Sequence, residues 1–384
     1  MDGVTSVAPK LAASRAELQH ARHVPGEIYA SPEIHKRELA EYFGREWLFV
    51  GRAEQFPNPG DYEARRIGDR PFIITRDREG GLNAFYNMCV HRGVEVAEGS
   101  GNLRRFRCPY HGWVYDLKGQ LTGAAYMKDT EGFSTADCRL PPIRLEVWRG
   151  NIFISFAADP PDFATGMAEF EKDFGALHTE RCRVADITRM RLKCNWKFFH
   201  ENLMDFYHVG VLHAGSFGKH FTWTPDNVVL KDGGGITIRY DAAPSTPDGQ
   251  TRFAKAPWLE DQPNSFACTG FLPPNLTLFG RIDCVKLMSA WPAGHDACDV
   301  VIYLLFPEEF FADPDFEAKL NVYRGFQKVI YEEDRSMIES MQLAMASPIY
   351  RPGRFSVMEK PIHHFLNSYL DRMFGPEGAS RTAP

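Results

Sequence analysis

His208 and His213, five positions apart, and Asp205, three positions ahead of the first, make the stretch of this chain richest in chemistry. Neutral imidazole is the commonest protein ligand for a first-row metal, and a nearby carboxylate fixes which ring nitrogen is free to bind. An offset of five is too far round for one regular helical face, so Gly210 is expected to break the helix and swing His213 back toward His208. Upstream, Cys89-Val90-His91 and Cys108-Pro109-Tyr110-His111 give C-x-H and then C-x-x-H. Two thiolates and two imidazoles hold either one tetrahedral zinc ion or a [2Fe–2S] cluster with cysteines on one iron and histidines on the other. A zinc finger groups its cysteines in one turn and its histidines on one helix. Here each loop supplies one of each, with a strand expected between them at Leu103 to Phe106, which suits two irons side by side. Gly93, Gly99, Gly101 and Gly112 let backbone amides approach the sulfides, and Tyr110 and Trp113 can shield them.

The elements around these residues divide the chain. Residues 1–30 read as a loose arm, and residues 1–45 as that arm plus a helix capped by Ser31, with Pro32 in its first turn. Residues 46–160 read as a compact antiparallel β domain. Its strands are expected at Asp61 to Ile67, Pro71 to Arg76, Leu82 to Tyr86, Trp113 to Leu117 and Ile143 to Phe156, the last folding back at Arg149-Gly150-Asn151. Asp159-Pro160-Pro161 marks the boundary. Residues 161–375 read as a second domain, with helices over Phe163 to Leu177, Phe316 to Met345 and Ile362 to Met373. The histidine-bearing helix follows Asn195-Trp196-Lys197, and strands are expected at Val228 to Tyr240, Leu276 to Ile282, Val285 to Trp291 and Asp299 to Phe306. The tail, 376–384, is expected to be disordered. The fold class is α+β, with an antiparallel sheet covered by helices in the second domain.

The motifs C-x-H-R-G and C-P-Y-H-G-W resemble those of Rieske iron–sulfur domains, in particular the Rieske non-heme iron oxygenases. The resemblance extends to Asn195-Trp196-Lys197, Glu201-Asn202, Asp205-x-Tyr207-His208-x4-His213, and the late Arg351-Pro352-Gly353-Arg354 segment. It implies that Cys89, His91, Cys108 and His111 bind the [2Fe–2S] cluster, and that His208, His213 and one acid bind a mononuclear Fe(II). The family places that acid at the head of an acidic stretch followed by a Glu and a Gln, which points to Asp334, with Glu333 the main competitor. It implies that Asp205 bridges the two metal centres across a subunit interface, that Asn202 lies near the iron, and that the assembly is a homotrimer. His200, His220, His295, His363 and His364 match no ligand position. Phe206, Leu212, Phe271, Leu287 and Trp291 are candidate pocket walls.

The activity implied is that of a terminal oxygenase. It takes electrons from a separate reductase, with or without a small ferredoxin, and uses O2 to hydroxylate or oxidatively dealkylate a small aromatic or amine substrate. Ring cis-dihydroxylation is the alternative, and an electron carrier with a docking domain is the alternative of another class. No G-x-G-x-x-G follows a strand, so the chain itself is not expected to bind NADH. A formal net charge of −6 over 384 residues and the lack of a basic stripe argue against nucleic acid. No apolar run approaches a membrane span. Eight scattered cysteines without a visible secretory signal point to reduced thiols and a cytoplasmic setting.

Overall fold

The computed structural model describes residues 7–218, 221–222 and 227–375. The described chain divides into two compact units, Phe43–Phe163 and the residues up to Tyr42 together with those from Ala164 on. The tail and His220 lie outside the described residues.

The small unit is antiparallel β throughout. Its strands are β1 (Leu48–Arg52), β2 (Asp61–Ile67), β3 (Arg70–Arg76), β4 (Leu82–Tyr86), β5 (Ser100–Asn102), β6 (Phe106–Arg107), β7 (Val114–Tyr115), β8 (Leu121–Gly123), β9 (Pro142–Trp148) and β10 (Asn151–Ser155). They form a seven-stranded sheet in the order β1-β10-β9-β4-β3-β2-β5 and a three-stranded sheet β6-β7-β8. Ile73, Phe85, Phe106, Tyr115, Leu121 and Leu140 fill the core, and the two motif cysteines sit against the same cluster. The β3–β4 turn is built on Asp77, whose Oδ1 accepts from the backbone N–H of Glu79 and of Gly81, a local side-chain device that favours turns over ladders. The strand expected at Leu103 to Phe106 is replaced by a bend between β5 and β6. Arg104 and Arg105 face solvent there, and only Phe106 turns into the core.

The large unit is organised on one eight-stranded antiparallel sheet. β11 (Cys182–Leu192), β12 (Phe221–Thr222), β13 (Val228–Leu230), β14 (Ile236–Ala242), β15 (Phe266–Leu272), β16 (Leu276–Arg281), β17 (Val285–Gly294) and β18 (Ala297–Pro307) run in the order β11-β18-β17-β16-β15-β14-β12, with β13 also pairing β14. Val228 to Tyr240 is therefore a hairpin rather than one strand. Gly233 and Gly234 adopt positive φ at its turn, where an L side chain would be strained.

Strand alternation assigns the two faces of this sheet. Register places Phe271 opposite Thr277, Thr269 opposite Phe279, and Phe279 opposite Lys286. That face receives His200 of the helix Trp196–Met204, whose Nδ1 lies 2.8 Å from Thr277 Oγ1. The other face carries Gly270 and Gly280. A Cβ on Gly270 would come within 2.3 Å of the Phe174 ring, and one on Gly280 within 2.9 Å of Leu177. The helix Phe163–Phe174 and the 3-10 turn Gly175–Leu177 cover this side. Both faces are thus buried, which explains the near-continuous apolar runs in β16 to β18.

Residues 7–30 are ordered, contrary to expectation. Val7, Leu11, Val24, Ile28 and Tyr29 are buried, and the Tyr29 carbonyl accepts from Asn195 Nδ2 at 3.2 Å. The Ser31 cap forms as expected, its Oγ accepting from the backbone N–H of Ile34. The helix it starts, Pro32–Glu41, delivers the wholly buried Glu38. Glu38 accepts from Trp196 Nε1 at 3.0 Å, from Tyr369 O–H at 2.6 Å and from the Lys197 ammonium. Asn195, Trp196 and Lys197 thus anchor the start of the motif helix. Asn195 Oδ1 also caps it by accepting from the Lys197 N–H.

Candidate iron centres and active-site cavity

In the small unit the two motif loops repeat one backbone design. The N–H of Gly93 donates to the Cys89 carbonyl, and the N–H of Gly112 donates to the Cys108 carbonyl. Each cysteine N–H donates to the residue after the glycine, Val94 or Trp113. Both glycines have positive φ, 79° and 71°, so the loops are tight turns that need glycine at that position. Cys89 and Cys108 are each 2% exposed and interact with each other. Burial pushes the Cys89 thiol up, against the Tyr115 hydroxyl that lies 3.1 Å from its sulfur. His91 and His111 stand at the exposed rim with their Nδ1 atoms 3.1 Å apart. His91 stacks on Trp113, and His111 lies tilted against Tyr110. One Nδ1–H can donate to the other ring, and with both nitrogens unprotonated the same approach suits a shared cation. Sulfur paired with sulfur and nitrogen paired with nitrogen is the donor set of a cluster with one iron of each kind.

In the large unit the helix Trp196–Met204 ends before Asp205. The expected break at Gly210 therefore falls earlier. Asp205 Oδ1 captures the backbone N–H of Tyr207 at 2.8 Å, an Asp turn that competes with helix continuation. The chain resumes as a single helical turn, Val209–Leu212, with His208 and His213 at its two ends. Their rings come to 5.2 Å between centroids. The long helix Phe316–Met345 brings Asp334 against them. Donor atoms of His208, His213 and Asp334 all lie within 4.8 Å of one another.

Both imidazoles are oriented alike. His213 Nε2 lies 3.0 Å, and His208 Nε2 3.5 Å, from Asp334 Oδ1. Behind them, His213 Nδ1 meets Glu333 Oε2 at 2.7 Å, and His208 Nδ1 faces Asp205 Oδ2 at 3.3 Å. Glu333 Oε2 also accepts from Ser216 Oγ at 3.0 Å. Each ring is thus backed by a carboxylate, an arrangement that fixes a metal-binding imidazole. Asp334 Oδ1 is buried and has no directed hydrogen bond, a costly state for a carboxylate oxygen unless a cation occupies the space it faces. The ionisation of the ion-free chain carries the same signal. Burial disfavours the His208 imidazolium, yet Asp205 and Asp334 raise its pKa to about 9. Burial likewise opposes the Asp334 carboxylate, but the two histidines hold it at about 2. A site that gathers protons so strongly is one that also suits a divalent cation. The residues present fit iron in both units.

The three donors open onto a cavity of about 80 Å³. Asn202, Asp205 and Phe206 line it on the motif side, Ile330 and Tyr331 on the long helix, and Phe279, Arg281 and Lys286 on the sheet. Of the expected pocket walls only Phe206 belongs to this lining. Phe271 packs on His200 and Phe365 in the core. Leu287 points to the opposite sheet face, since its neighbours Lys286 and Met288 face the cavity, and Trp291 shares its parity. Leu212 is half-buried on the short helical turn. His200 is fully buried, and burial alone pushes its pKa down to about 3. His364 Nε2 meets the Lys231 carbonyl and His363 Nε2 that of Ala16. The carboxylate clasp of Glu333 with Ser216, and the cavity cations Arg281 and Lys286, had no signal in the sequence motifs.

An iron–sulfur β domain joined to a helix-covered sheet with a two-histidine, one-carboxylate site defines a class, the Rieske non-heme iron oxygenases. Residues 46–134 match the Rieske [2Fe-2S] domain, and residues 179–375 match the catalytic domain of the ring hydroxylating alpha subunit. The chain is 29% identical to chloroplastic choline monooxygenase of Arabidopsis thaliana, over 94% of this chain and 84% of the relative. It is 27% identical to the glycine betaine monooxygenase oxygenase subunit of Pseudomonas aeruginosa, over 94% and 91%. Among solved structures, naphthalene 1,2-dioxygenase from Rhodococcus superposes with a TM-score of 0.76 at 21% identity, covering 98% of each chain. A quaternary ammonium Rieske monooxygenase gives a TM-score of 0.77 at 21% identity, covering 92% of this chain and 95% of that one. The chain belongs to the ring-hydroxylating alpha-subunit family, the large subunits of Rieske oxygenases. It is an oxidoreductase with a [2Fe–2S] domain and an iron-binding catalytic domain. Relatives of this kind work with partner reductases or ferredoxins and oligomerise. Among the described residues, no helix is long and apolar enough to cross a membrane.

Proposed function

We propose that this chain is the terminal oxygenase of a multicomponent system, inserting oxygen from O2 into a small aromatic or amine substrate by hydroxylation or oxidative dealkylation. Cys89, Cys108, His91 and His111 hold the cluster, and His208, His213 and Asp334 hold the mononuclear iron. When bound, the two centres supply one-electron transfer and activation of O2. The chain's own residues do the rest. Glu333 fixes the His213 tautomer so that its Nε2 is the free donor, and Asp205 Oδ2 stands 3.3 Å behind His208 Nδ1. Glu333 serves this role rather than that of ligand, because its carboxylate is already engaged by His213 Nδ1 and Ser216. Asp205 is one-quarter exposed beside His208, a position from which it can also accept a hydrogen bond from a cluster histidine of a neighbouring subunit. His91 and His111 at the rim of the small unit supply that donor, which supports a homotrimer. Phe206, Phe279 and Tyr331 keep the cavity poor in water and so protect a reactive oxidant. Eight free thiols suit a cytoplasmic setting.

The observation that carries this reading is the buried Asp334 oxygen, without a directed hydrogen bond, facing two backed imidazoles at the mouth of the cavity. Metal and sulfide analysis tests it. The expected content is a two-iron cluster plus one further iron, with Asp334→Ala losing the single iron and keeping the cluster absorbance. Retention of all the iron in that variant refutes the assignment. Product mass then separates one added oxygen or a lost alkyl group from the two oxygens and two hydrogens of cis-dihydroxylation.

A further inference from the structure

The sheet wall of the cavity carries two cations. Arg281 and Lys286 project from the same sheet face. Lys286 is the cross-strand partner of Phe279, and Arg281 follows Phe279 by two residues on β16. Both are buried, at 7% and 9% exposed, and both line the cavity. Among the described residues neither is ion-paired with a carboxylate. Asp283 is turned to the Tyr323 hydroxyl, and Asp334 faces the two imidazoles. Arg281 spends one N–H on the carbonyl of Gly280, while its Nε is buried with no hydrogen-bond partner. Burial, then the charge of Arg281, lowers the Lys286 ammonium to about 8.

Two aromatic faces of the cavity, those of Tyr240 and Phe279, are already taken. The Arg281 guanidinium lies 5.2 Å from the Tyr240 ring and 5.8 Å from the Phe279 ring, and Lys286 Nζ lies 5.5 Å from Phe279. Aromatic rings arranged this way cage a quaternary ammonium only when no protein cation occupies them. Two unpaired buried cations cost stability unless a ligand anion completes them.

Resting on the reading of this cavity as the substrate site, we infer that the substrate is an organic carboxylate with an apolar, aromatic-sized body. Its carboxylate docks on Arg281 and Lys286, and its body lies along Phe279, Tyr331 and Phe206 toward His208 and His213. Arg281 and Lys286 are specificity-determining residues of the reaction.

Equilibrium binding to the metal-loaded enzyme, without reductant, tests this. The probes are benzoate and 3-phenylpropionate, each against its amide, with choline as competitor. The expected result is at least one carboxylate binding tenfold or more tighter than its amide, with no displacement by choline. In Arg281→Met and Lys286→Met that preference shrinks at least tenfold, and each variant melts at a higher temperature than the parent, because an uncompensated buried charge has gone. No carboxylate preference in the parent, displacement by choline, or a preference that survives both substitutions overturns the inference. If a variant does not fold, the parent panel alone decides. Because no turnover is required, a fully metallated enzyme that ignores carboxylates refutes this inference alone, whereas a chain lacking the mononuclear iron refutes the proposed function.

Discussion

Removing the Glu333 carboxylate separates its role behind His213 from the ligand role for which it competes with Asp334. Glu333→Ala deletes the 2.7 Å contact to His213 Nδ1 and the 3.0 Å hydrogen bond from Ser216 Oγ. His213 is only 1% exposed and the Glu333 side chain 28%, so solvent replaces the lost partner poorly. A hydrogen bond to a charged group is worth about 1.5–3 kcal/mol net. Loss of a carboxylate behind a ligating histidine typically costs 10–100-fold in metal affinity, which is about 1.4–2.8 kcal/mol. The two routes agree, so iron affinity should fall by one to two decades without being lost. Competition with a chelator, counting iron beyond that held by the cluster, measures this directly, and the cluster absorbance serves as internal reference. Glu333→Gln, which keeps an acceptor, should recover part of the loss. Unchanged affinity in Glu333→Ala would mean that His213 is fixed by its packing alone. Affinity abolished as fully as in Asp334→Ala would make Glu333 itself a ligand, and the reasoning would fail.

Asp205→Ala should leave both iron centres filled yet nearly abolish reductant-driven turnover; oxygen uptake at the parent rate would remove the bridge. Tyr115→Phe deletes the hydroxyl 3.1 Å from Cys89 Sγ and should lower the cluster potential, because hydrogen bonds to the sulfurs set it; redox titration reads the direction. Lys197→Met leaves Glu38 buried without its counter-charge and should cost about 3–5 kcal/mol of stability by denaturant melting; a change below about 1 kcal/mol would mean that Trp196 and Tyr369 satisfy Glu38 alone.

What could be read from the sequence was local. Each cluster loop carries its ligands, its glycine and its aromatic cover within a few residues, so type and spacing sufficed. The His208/His213 pair was visible for the same reason, but the break between them was placed at Gly210, because glycine is the louder helix breaker. Asp205 breaks the helix instead, through a side-chain turn that its identity alone does not announce. The family resemblance points to Asp334 over Glu333, but residue type alone does not distinguish two adjacent acids. Adjacent helical residues point about 100° apart, and only the docked helix shows that one meets the backs of the rings and the other their fronts. The arm before Ser31 lacked a regular apolar period and is ordered by tertiary contacts such as that of Tyr29 with Asn195. Arg281 and Lys286 carry no motif signal, since burial on a sheet covered on both sides is a property of the assembled fold.

The donors that face one another across the mononuclear site, His208, His213 and Asp334, all come from helical segments and the turns that join them, while Arg281 and Lys286 come from strands. The metal donors and the two cations proposed to anchor the substrate carboxylate therefore reside on separate pieces of scaffold. Two side chains on adjoining strands can be exchanged to retarget the enzyme while the oxidising machinery stays untouched, which gives evolution, or an engineer, a short path from one compound to the next.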